Sequence, residues 1–196
     1  PQFFVRTRTS EALRSSPPDV VLNLVESMGQ GLLLDRFNGS APLVGALAPH
    51  LQQDYYFQHF LPAHNDTQKS VLSLLLNSEH DELSYSSHQY TKFETSAAQI
   101  FKASGYRTIF IYAGFEGTKN RSDYFKRQGF DEFIGARQLK SRYPEMSMSV
   151  WGGGDRYVYD QAIERLKYGR DDSKPLLIVT LSVTNHPPYE MPGQVE

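Results

Sequence analysis

Residues 19–29 carry the sequence DVVLNLVESMG, and the interpretation of the rest of the chain starts from this stretch. Aliphatic and β-branched residues dominate Asp19 to Val25. The run is too short for a helix and too apolar for a strand with one face in water. We therefore predict a strand buried on both faces, as in a parallel sheet, and it delivers Glu26 and Ser27 directly at its carboxyl end.

Outward from this strand, short apolar runs alternate with segments of helical period. Further strands are predicted at 54–61, 108–112, 130–134 and 175–182, and helices at 43–51, 67–76, 93–104, 122–128 and from Asp155 onward. This alternation predicts a three-layer α/β/α fold with a mostly parallel sheet. Residues 1–16 are expected to form an arm or a short helix that precedes one domain over residues 17–196.

Bulk composition excludes several classes of function. The 20 basic and 22 acidic residues give a net charge of −2, which gives no support to nucleic-acid binding. No apolar stretch reaches the roughly 18 residues of a membrane span. Because the chain has no cysteine, disulfides, thiolate metal ligands and cysteine nucleophiles are excluded as well.

Two oxygen-bearing residues stand where a site is expected, since α/β sheets bind ligands beyond the carboxyl ends of their strands. Glu26 is either a first-turn acid favoured by a helix dipole or a ligand for a divalent metal. Thr67 precedes an apolar helix, so it is either an N-cap or a nucleophile. A helix N-terminus or a bound metal would help its hydroxyl to ionise.

Three cationic or titratable residues complete the candidate set. Arg121 follows the strand at 108–112 and is either a solvated loop residue or a bidentate ligand for phosphate or sulfate. Lys119, two residues earlier, would add a second positive charge. His186 follows the strand at 175–182 and could hydrogen-bond an anionic oxygen or assist a leaving group.

The order of these elements resembles a known family. The shared features are the strand before Glu26-Ser27, Thr67 before a helix, Gly105-Tyr106-Arg107-Thr108 before a strand, FKRQGFDEFI at 125–134, Trp151-Gly152, and LSVTNHPPY at 181–189. Over roughly residues 17–192 the chain resembles the lipoteichoic acid synthase and phosphoglycerol transferase branch of the sulfatase and alkaline phosphatase superfamily. An alkaline-phosphatase-like fold is therefore expected.

The resemblance also implies a chemistry. Such enzymes transfer phosphoglycerol from an anionic phospholipid to a glycan or a growing polymer, on the outer side of the cytoplasmic membrane to which they are anchored. It implies Glu26 as a metal ligand, Thr67 as nucleophile and ligand, and Arg121 and His186 as binders of the transferred group. The implied metal is manganese, with magnesium or zinc as alternatives. Relatives often carry tryptophan where this chain has Lys119, which bears on glycerol specificity.

The family pattern further includes an Asp-His pair in a Gly-Asp-His stretch after the Asn-His-Pro element. This sequence does not contain that stretch. We therefore expect an incomplete catalytic domain that lacks its C-terminal part, has an incomplete metal site, and exposes a sheet edge suited to self-association. Tight one-to-one Mn²⁺ binding by calorimetry would contradict this expectation.

Other functions stay open at this stage. Sulfuric ester or phosphodiester hydrolysis belongs to the same superfamily, although residues 67–71 (TQKSV) lack the Cys or Ser, Pro and Arg of a typical sulfatase stretch. Phosphoethanolamine transfer also uses threonine, but those relatives commonly carry disulfides. A catalytically incomplete domain that binds an anion or a partner is the non-enzymatic alternative.

Overall fold

A parallel β-sheet forms the centre of the protein. The computed structural model describes residues 10–33, 45–57, 59–80, 82–169 and 174–189. In these residues the strands are β1 (Val20–Leu24), β2 (Arg107–Tyr112), β3 (Glu132–Ile134) and β4 (Leu176–Leu181), in the order β1-β4-β2-β3. The predicted α/β class with a mostly parallel sheet is confirmed.

Helices connect and cover the strands. They are α1 (Glu11–Ser15), α2 (Gln30–Leu33), α3 (His50–Gln53), α4 (Thr67–Leu76), α5 (Ala97–Ala103), α6 (Arg121–Arg127), α7 (Ala136–Arg142) and α8 (Asp155–Tyr168). Short 3₁₀ turns occupy Gly45–Leu47, Ser87–Tyr90 and Thr118–Asn120. Within the described ranges no helix is long and apolar enough to cross a bilayer.

The two faces of the sheet carry different helices. Phe133 of β3 lies against Phe125 of α6, whereas the neighbouring Glu132 forms an ion pair with Arg165 of α8 at 2.6 Å. Successive residues of a strand point to opposite faces, so α6 and α8 cover opposite sides of the sheet. This arrangement gives the three layers that the sequence predicts.

An aromatic cluster fills the layer between the sheet and α6. Phe110 of β2 stacks on Phe125 with ring centroids 4.8 Å apart and on Phe133 at 5.1 Å, and meets Phe130 edge-on at 5.4 Å. All four rings are buried. Such pairs add roughly 0.5–1.5 kcal/mol each beyond the apolar area they bury.

We expect Phe110→Ala to lower the free energy of unfolding by about 3–5 kcal/mol, because the vacated volume cannot be refilled by the surrounding rings. Urea unfolding measures the change. The matched control is Phe57→Ala, since that side chain is 74% exposed, and its effect should stay within about 0.5 kcal/mol. Equal losses in the two variants would contradict the described core.

The amino ends of β2 and β3 are joined through Asp131. Its carboxylate accepts hydrogen bonds from the Thr108 backbone N–H at 2.9 Å and the Thr108 hydroxyl at 3.1 Å, and pairs with Lys102. Partial burial by itself raises the pKa of Asp131, but the bonds from Lys102 and Thr108 and the Lys102 charge outweigh it and lower that pKa below its usual value.

A lowered pKa in the folded state means that Asp131 stabilises the protein above the pKa of an unfolded aspartate. That contribution is lost as the pH falls through the folded value. We expect Asp131→Asn to cost about 1–2 kcal/mol of unfolding free energy at pH 7 and progressively less below about pH 4. Urea unfolding across this range, with Asp160→Asn in an exposed pair as control, tests it. A cost that does not change with pH would refute the assignment.

Several predicted elements differ from the structure. The residues described between 54 and 61 form no strand, and Tyr55, Phe60 and Leu61 are strongly exposed. A run rich in aromatic residues forms a strand only where another strand supplies hydrogen bonds, and none in the described residues pairs with this segment. The predicted strand is therefore wrong for these residues.

Two helix predictions also need correction. The helix expected at 43–51 is replaced by the turn Gly45–Leu47 and by α3, which begins after Pro49. Proline is compatible with a helix start because it lacks only an N–H that the first turn leaves unused. Residues 43 and 44 lie outside the described residues. The helix expected at 93–104 begins only at Ala97, after its N-cap Ser96, whose hydroxyl donates to the Gln128 carbonyl at 2.6 Å.

Strand β1 is less buried than predicted. Its residues alternate between half-buried and exposed, and Val21 is 48% exposed. The reason is position, because β1 lies at an edge of the described sheet while α8 packs over β4 and β2. In the described residues this edge is unpaired, whereas the predicted self-association through it stays a prediction.

Candidate active site

The carboxyl ends of β1, β4 and β2 meet at one edge of the sheet. Leu24 of β1 and Tyr112 of β2 both pair in register with Leu181 of β4. The residues that follow these three strands therefore leave the sheet at the same height along the strand direction. Ser182 links two of the exits, because its backbone N–H donates to the Leu24 carbonyl at 3.1 Å and its hydroxyl accepts the Glu26 N–H at 2.8 Å.

Glu26 and Thr67 lie in direct contact at this edge. The Thr67 hydroxyl donates a hydrogen bond of 2.6 Å to Glu26 Oε2, and the Ser27 hydroxyl donates to the other carboxylate oxygen at 2.9 Å. Both Glu26 and Thr67 are half-buried. The structure thus brings together two candidate residues that are 41 positions apart in sequence.

Capping of helix α4 does not require the Thr67 hydroxyl. Asp66 is the N-cap, and its carboxylate accepts the Lys69 backbone N–H at 2.9 Å. Thr67 is the first residue of this ten-residue helix, so its hydroxyl lies where the helix dipole favours negative charge. Its side chain bonds Glu26 instead of its own helix.

The oxygens of Glu26 and Thr67 suit a hard divalent cation by their chemistry. They supply only part of a coordination set, since Mg²⁺ or Mn²⁺ takes about six ligands. In the ranges that the structure describes, no group of three or more His, Cys, Asp or Glu side chains lies close enough together to hold a metal ion. The donor types therefore fit a metal of the predicted kind as a partial ligand set.

Arg121 is a buried cation at the start of α6. It is only 9% exposed, its Nε donates to the Gln68 side-chain oxygen at 2.8 Å and its Nη1 to the Tyr112 hydroxyl at 2.6 Å. The guanidinium carbon also lies 5.1 Å from the Tyr112 ring centroid. Gln68 follows Thr67 directly, so the arginine is tied to the same helix turn that carries the hydroxyl.

The hydrogen-bond partners of Arg121 in the described residues are neutral side chains. Among the residues that the structure describes, no carboxylate pairs with it and no group bonds to Nη2. A buried charge without a counter-ion is costly, and an anion would offset that cost.

Lys119 makes contacts that differ from those of the other candidate residues. Its side chain is exposed, and its ammonium lies 5.8 Å from the Tyr85 ring centroid. The backbone of Lys119 is held in place, because its carbonyl accepts the Ser84 hydroxyl at 2.6 Å. The φ angle of Lys119 is 52°, in the left-handed region. Within the described residues, no hydrogen bond or ion pair joins Lys119 to Glu26, Thr67, Arg121 or His186.

His186 lies in the turn that follows β4. Its Nδ1 is 2.8 Å from the Pro187 carbonyl oxygen, and its ring packs on the Trp151 ring with centroids 3.7 Å apart. The side chain is partly exposed. No hydrogen bond in the described part of the chain connects it directly to Thr67 or Arg121, so the structure groups it with Trp151.

Three residues at this edge were not singled out from the sequence. They are Gln68 and Tyr112, which hold Arg121, and Ser182, which holds the backbone of Glu26. Tyr112 and Ser182 stand at the ends of strands, so the strand-end rule that selected Glu26 could have found them. For Gln68, the only sequence feature that could have indicated a role in the site is its position directly after Thr67.

Comparison with known proteins assigns the chain to a family. The model of the sulfatase family matches residues 18–196, so this chain belongs to the sulfatase family. The predicted membership in the sulfatase family is confirmed. A curated relative is phosphoglycerol transferase I of Escherichia coli O127:H6 (strain E2348/69 / EPEC), which is 26% identical over 182 residues.

Two solved structures share the fold. One is a protein of the alkaline phosphatase superfamily from Vibrio parahaemolyticus, with a TM-score of 0.76 and 24% identity over 91% of this chain. The other is the lipoteichoic acid synthase LtaP from Listeria monocytogenes, with a TM-score of 0.70 and 18% identity over 89% of this chain. Both likenesses show that this chain has the same fold as these proteins.

The chain spans only part of each of these proteins. It covers 24% of the length of the curated transferase, 43% of the Vibrio chain and 42% of the Listeria chain.

We predict that an added oxyanion binds at Arg121, because the buried guanidinium has no carboxylate partner in the described residues. Inorganic phosphate should raise the thermal midpoint of the wild-type chain and leave that of Arg121→Gln unchanged. At a phosphate concentration one hundred times Kd, the gain corresponds to about 2.7 kcal/mol. Arg156→Gln, at a side chain that is 83% exposed, is the control and should respond like wild type. An identical response in Arg121→Gln would contradict the prediction.

Proposed function

We propose that this chain forms part of the catalytic domain of an enzyme that transfers a phosphoglycerol or related phosphoryl group from a lipid donor, with Thr67 as nucleophile. The observation that carries the proposal is the 2.6 Å hydrogen bond from the Thr67 hydroxyl to Glu26 at the carboxyl edge of the sheet. Membership in the sulfatase family and similarity to a phosphoglycerol transferase support it.

The surroundings of Thr67 favour a reactive hydroxyl. A threonine hydroxyl is a weak nucleophile until a base, a metal or a positive field helps it to ionise. Here the carboxylate of Glu26 accepts its proton in a hydrogen bond, and the N-terminus of α4 stabilises negative charge on the oxygen. Ser182 holds the Glu26 backbone, and Ser27 holds its second oxygen.

The proposed reaction has two displacements at phosphorus. The Thr67 oxygen loses its proton and forms a bond to phosphorus, while the bond between phosphorus and the diacylglycerol oxygen breaks and that oxygen takes up a proton. An acceptor hydroxyl then loses its proton and attacks the same phosphorus. The bond to Thr67 breaks, and the threonine hydroxyl regains a proton.

Arg121 and His186 are proposed to bind the transferred group. The Nη2 of Arg121 would donate to a non-bridging phosphoryl oxygen, since Gln68 and Tyr112 already bond to Nε and Nη1. His186 would contact the glycerol or the phosphoryl oxygens. Lys119 is proposed to add positive charge near the entry of the anionic donor, because its ammonium is exposed.

A divalent metal is proposed as the cofactor, with Mn²⁺ preferred and Mg²⁺ or Zn²⁺ as alternatives. Glu26 and Thr67 would hold it, because their adjacent oxygens are the donors such ions take in proteins. When bound, the ion would favour the ionised form of the hydroxyl and offset charge on phosphate.

The substrates and setting follow from the same proposal. The donor would be an anionic phospholipid such as phosphatidylglycerol, and the acceptor a glycan or a growing envelope polymer. The domain would work on the extracytoplasmic side of the cytoplasmic membrane, anchored by a segment outside these 196 residues.

A second candidate is a domain that binds an oxyanion without turnover. The buried charge of Arg121, which has no carboxylate partner in the described residues, supports anion binding whether or not catalysis occurs. Hydrolysis of a sulfuric or phosphoric ester by the same threonine is the enzymatic alternative, with water as acceptor.

The test uses the full-length natural protein with vesicles of phosphatidylglycerol and added Mn²⁺. We expect release of diacylglycerol, a phosphoglycerol adduct on Thr67 in intact-mass and peptide analysis, and a loss of at least about 10³-fold in Thr67→Ala. Thr67→Ser retains a hydroxyl and should keep part of the activity. Thr118→Ala, at an exposed threonine, is the matched control.

The outcomes separate the candidates. Normal lipid turnover by Thr67→Ala would refute the nucleophile. Phosphate binding without any turnover by the wild type would favour the anion-binding domain, and release of free glycerol phosphate without transfer would favour a hydrolase.

A further inference from the structure

Trp151 holds an unusual position for a large aromatic residue. It is the one tryptophan of the chain, and its side chain is 40% exposed, so it contributes little to the buried core. Its indole N–H nevertheless donates to the Pro187 carbonyl oxygen at 2.7 Å, and its ring lies 3.7 Å from that of His186 with planes 36° apart. These contacts join the connection between α7 and α8 to the turn that follows β4.

The backbone that carries Trp151 is fixed to the end of β2. Gly152 has a φ of 140°, and a Cβ there would collide with the Ala113 carbonyl oxygen. The Gly153 N–H donates to that same oxygen at 2.9 Å, and the Gly152 carbonyl accepts the Ser149 N–H at 2.7 Å. The indole therefore projects from a turn whose backbone is hydrogen-bonded to the residue after β2.

The loop that carries His186 is fixed as well. The Asp155 carboxylate, at the start of α8, accepts the backbone N–H groups of Val183 at 2.6 Å and Thr184 at 3.1 Å. The Thr184 hydroxyl accepts the Asp155 N–H at 3.1 Å in return. Both partners of the ring contact are thus held by the same short region around residues 149–155.

The hydrogen bonds define the protonation pattern of the imidazole. A carbonyl oxygen only accepts, so the 2.8 Å contact between His186 Nδ1 and the Pro187 oxygen requires the proton on Nδ1. The same oxygen has a second lone pair, which takes the indole N–H. In the neutral ring Nε2 is then left as an acceptor for a substrate hydroxyl.

We propose that Trp151 is a positioning residue that holds His186 with its proton on Nδ1 and presents Nε2 to a hydroxyl of the glycerol or of the acceptor. This inference rests on the proposed function for the identity of the substrate. The geometry of the ring pair and of the shared carbonyl carries it. Trp151 acts through His186 and not by its own contact with the reacting atoms.

The first experiment is independent of activity. Long-range ¹⁵N–¹H NMR of the imidazoles in the wild-type chain should identify His186, assigned by its absence in His186→Gln, as the Nδ1–H form. In Trp151→Ala the population should shift toward Nε2–H, whereas Val150→Ala, at a neighbouring exposed side chain, should leave it unchanged. The inference would be overturned if the wild-type ring carried its proton on Nε2. It would also be overturned if Trp151→Ala left the tautomer population of His186 unchanged.

The second experiment is a double-mutant cycle in the full-length protein with phosphatidylglycerol vesicles. Trp151→Ala should lower kcat/KM by about tenfold to a hundredfold, as expected for a displaced reacting group. Trp151→Phe keeps a ring but lacks the N–H, so its loss should be smaller. In the His186→Ala background, Trp151→Ala should cost no more than about twofold further. Fully additive losses would contradict action through His186.

The two experiments also separate this inference from the proposed function. If the wild-type protein does not turn over the lipid, the transferase proposal fails, while the NMR result still decides whether Trp151 sets the tautomer of His186. Circular dichroism of each variant distinguishes a local effect from unfolding.

Discussion

Parallel pairing of β4 with both β1 and β2 is the constraint on which the candidate site depends. Because Leu24, Leu181 and Tyr112 lie in one register, the segments after the three strands leave the sheet at the same level. Glu26, Ser182 and the turn of His186 are brought to one edge by this alignment alone. Thr67 comes from the first turn of α4, and its hydroxyl meets this edge through the 2.6 Å hydrogen bond to Glu26.

The site departs from what stability alone would select. Arg121 is buried with polar neighbours and without a carboxylate partner in the described residues, although a paired or apolar residue would cost less there. Trp151 is held by its N–H at the surface, although an indole in the core would bury more area. Such local departures are expected where a ligand completes the arrangement. The aromatic cluster around Phe110 supplies packing stability on the α6 side of the sheet.

Local patterns predicted the elements that are determined locally. The apolar runs at 108–112 and 175–182 became β2 and β4 almost residue for residue, and the helix predicted at 67–76 became α4. The strand expected at 54–61 did not form in the described residues, since strand formation depends on a partner that a single segment cannot specify. The exposure of β1 could likewise not be predicted from its sequence, because an edge strand and a central strand can have the same apolar sequence.

The sequence by itself determined the fold class, the positions of most strands and helices, and the candidate residues at their ends, because hydrophobic period, caps and strand-end position are local properties of a chain. Only the tertiary structure decided that Thr67 bonds Glu26, that Gln68 and Tyr112 hold Arg121, and that Trp151 packs on His186. These contacts join residues that are 9 to 53 positions apart, and the side-chain directions that create them depend on sheet order and helix placement. No local pattern encodes those directions, so geometry had to supply them.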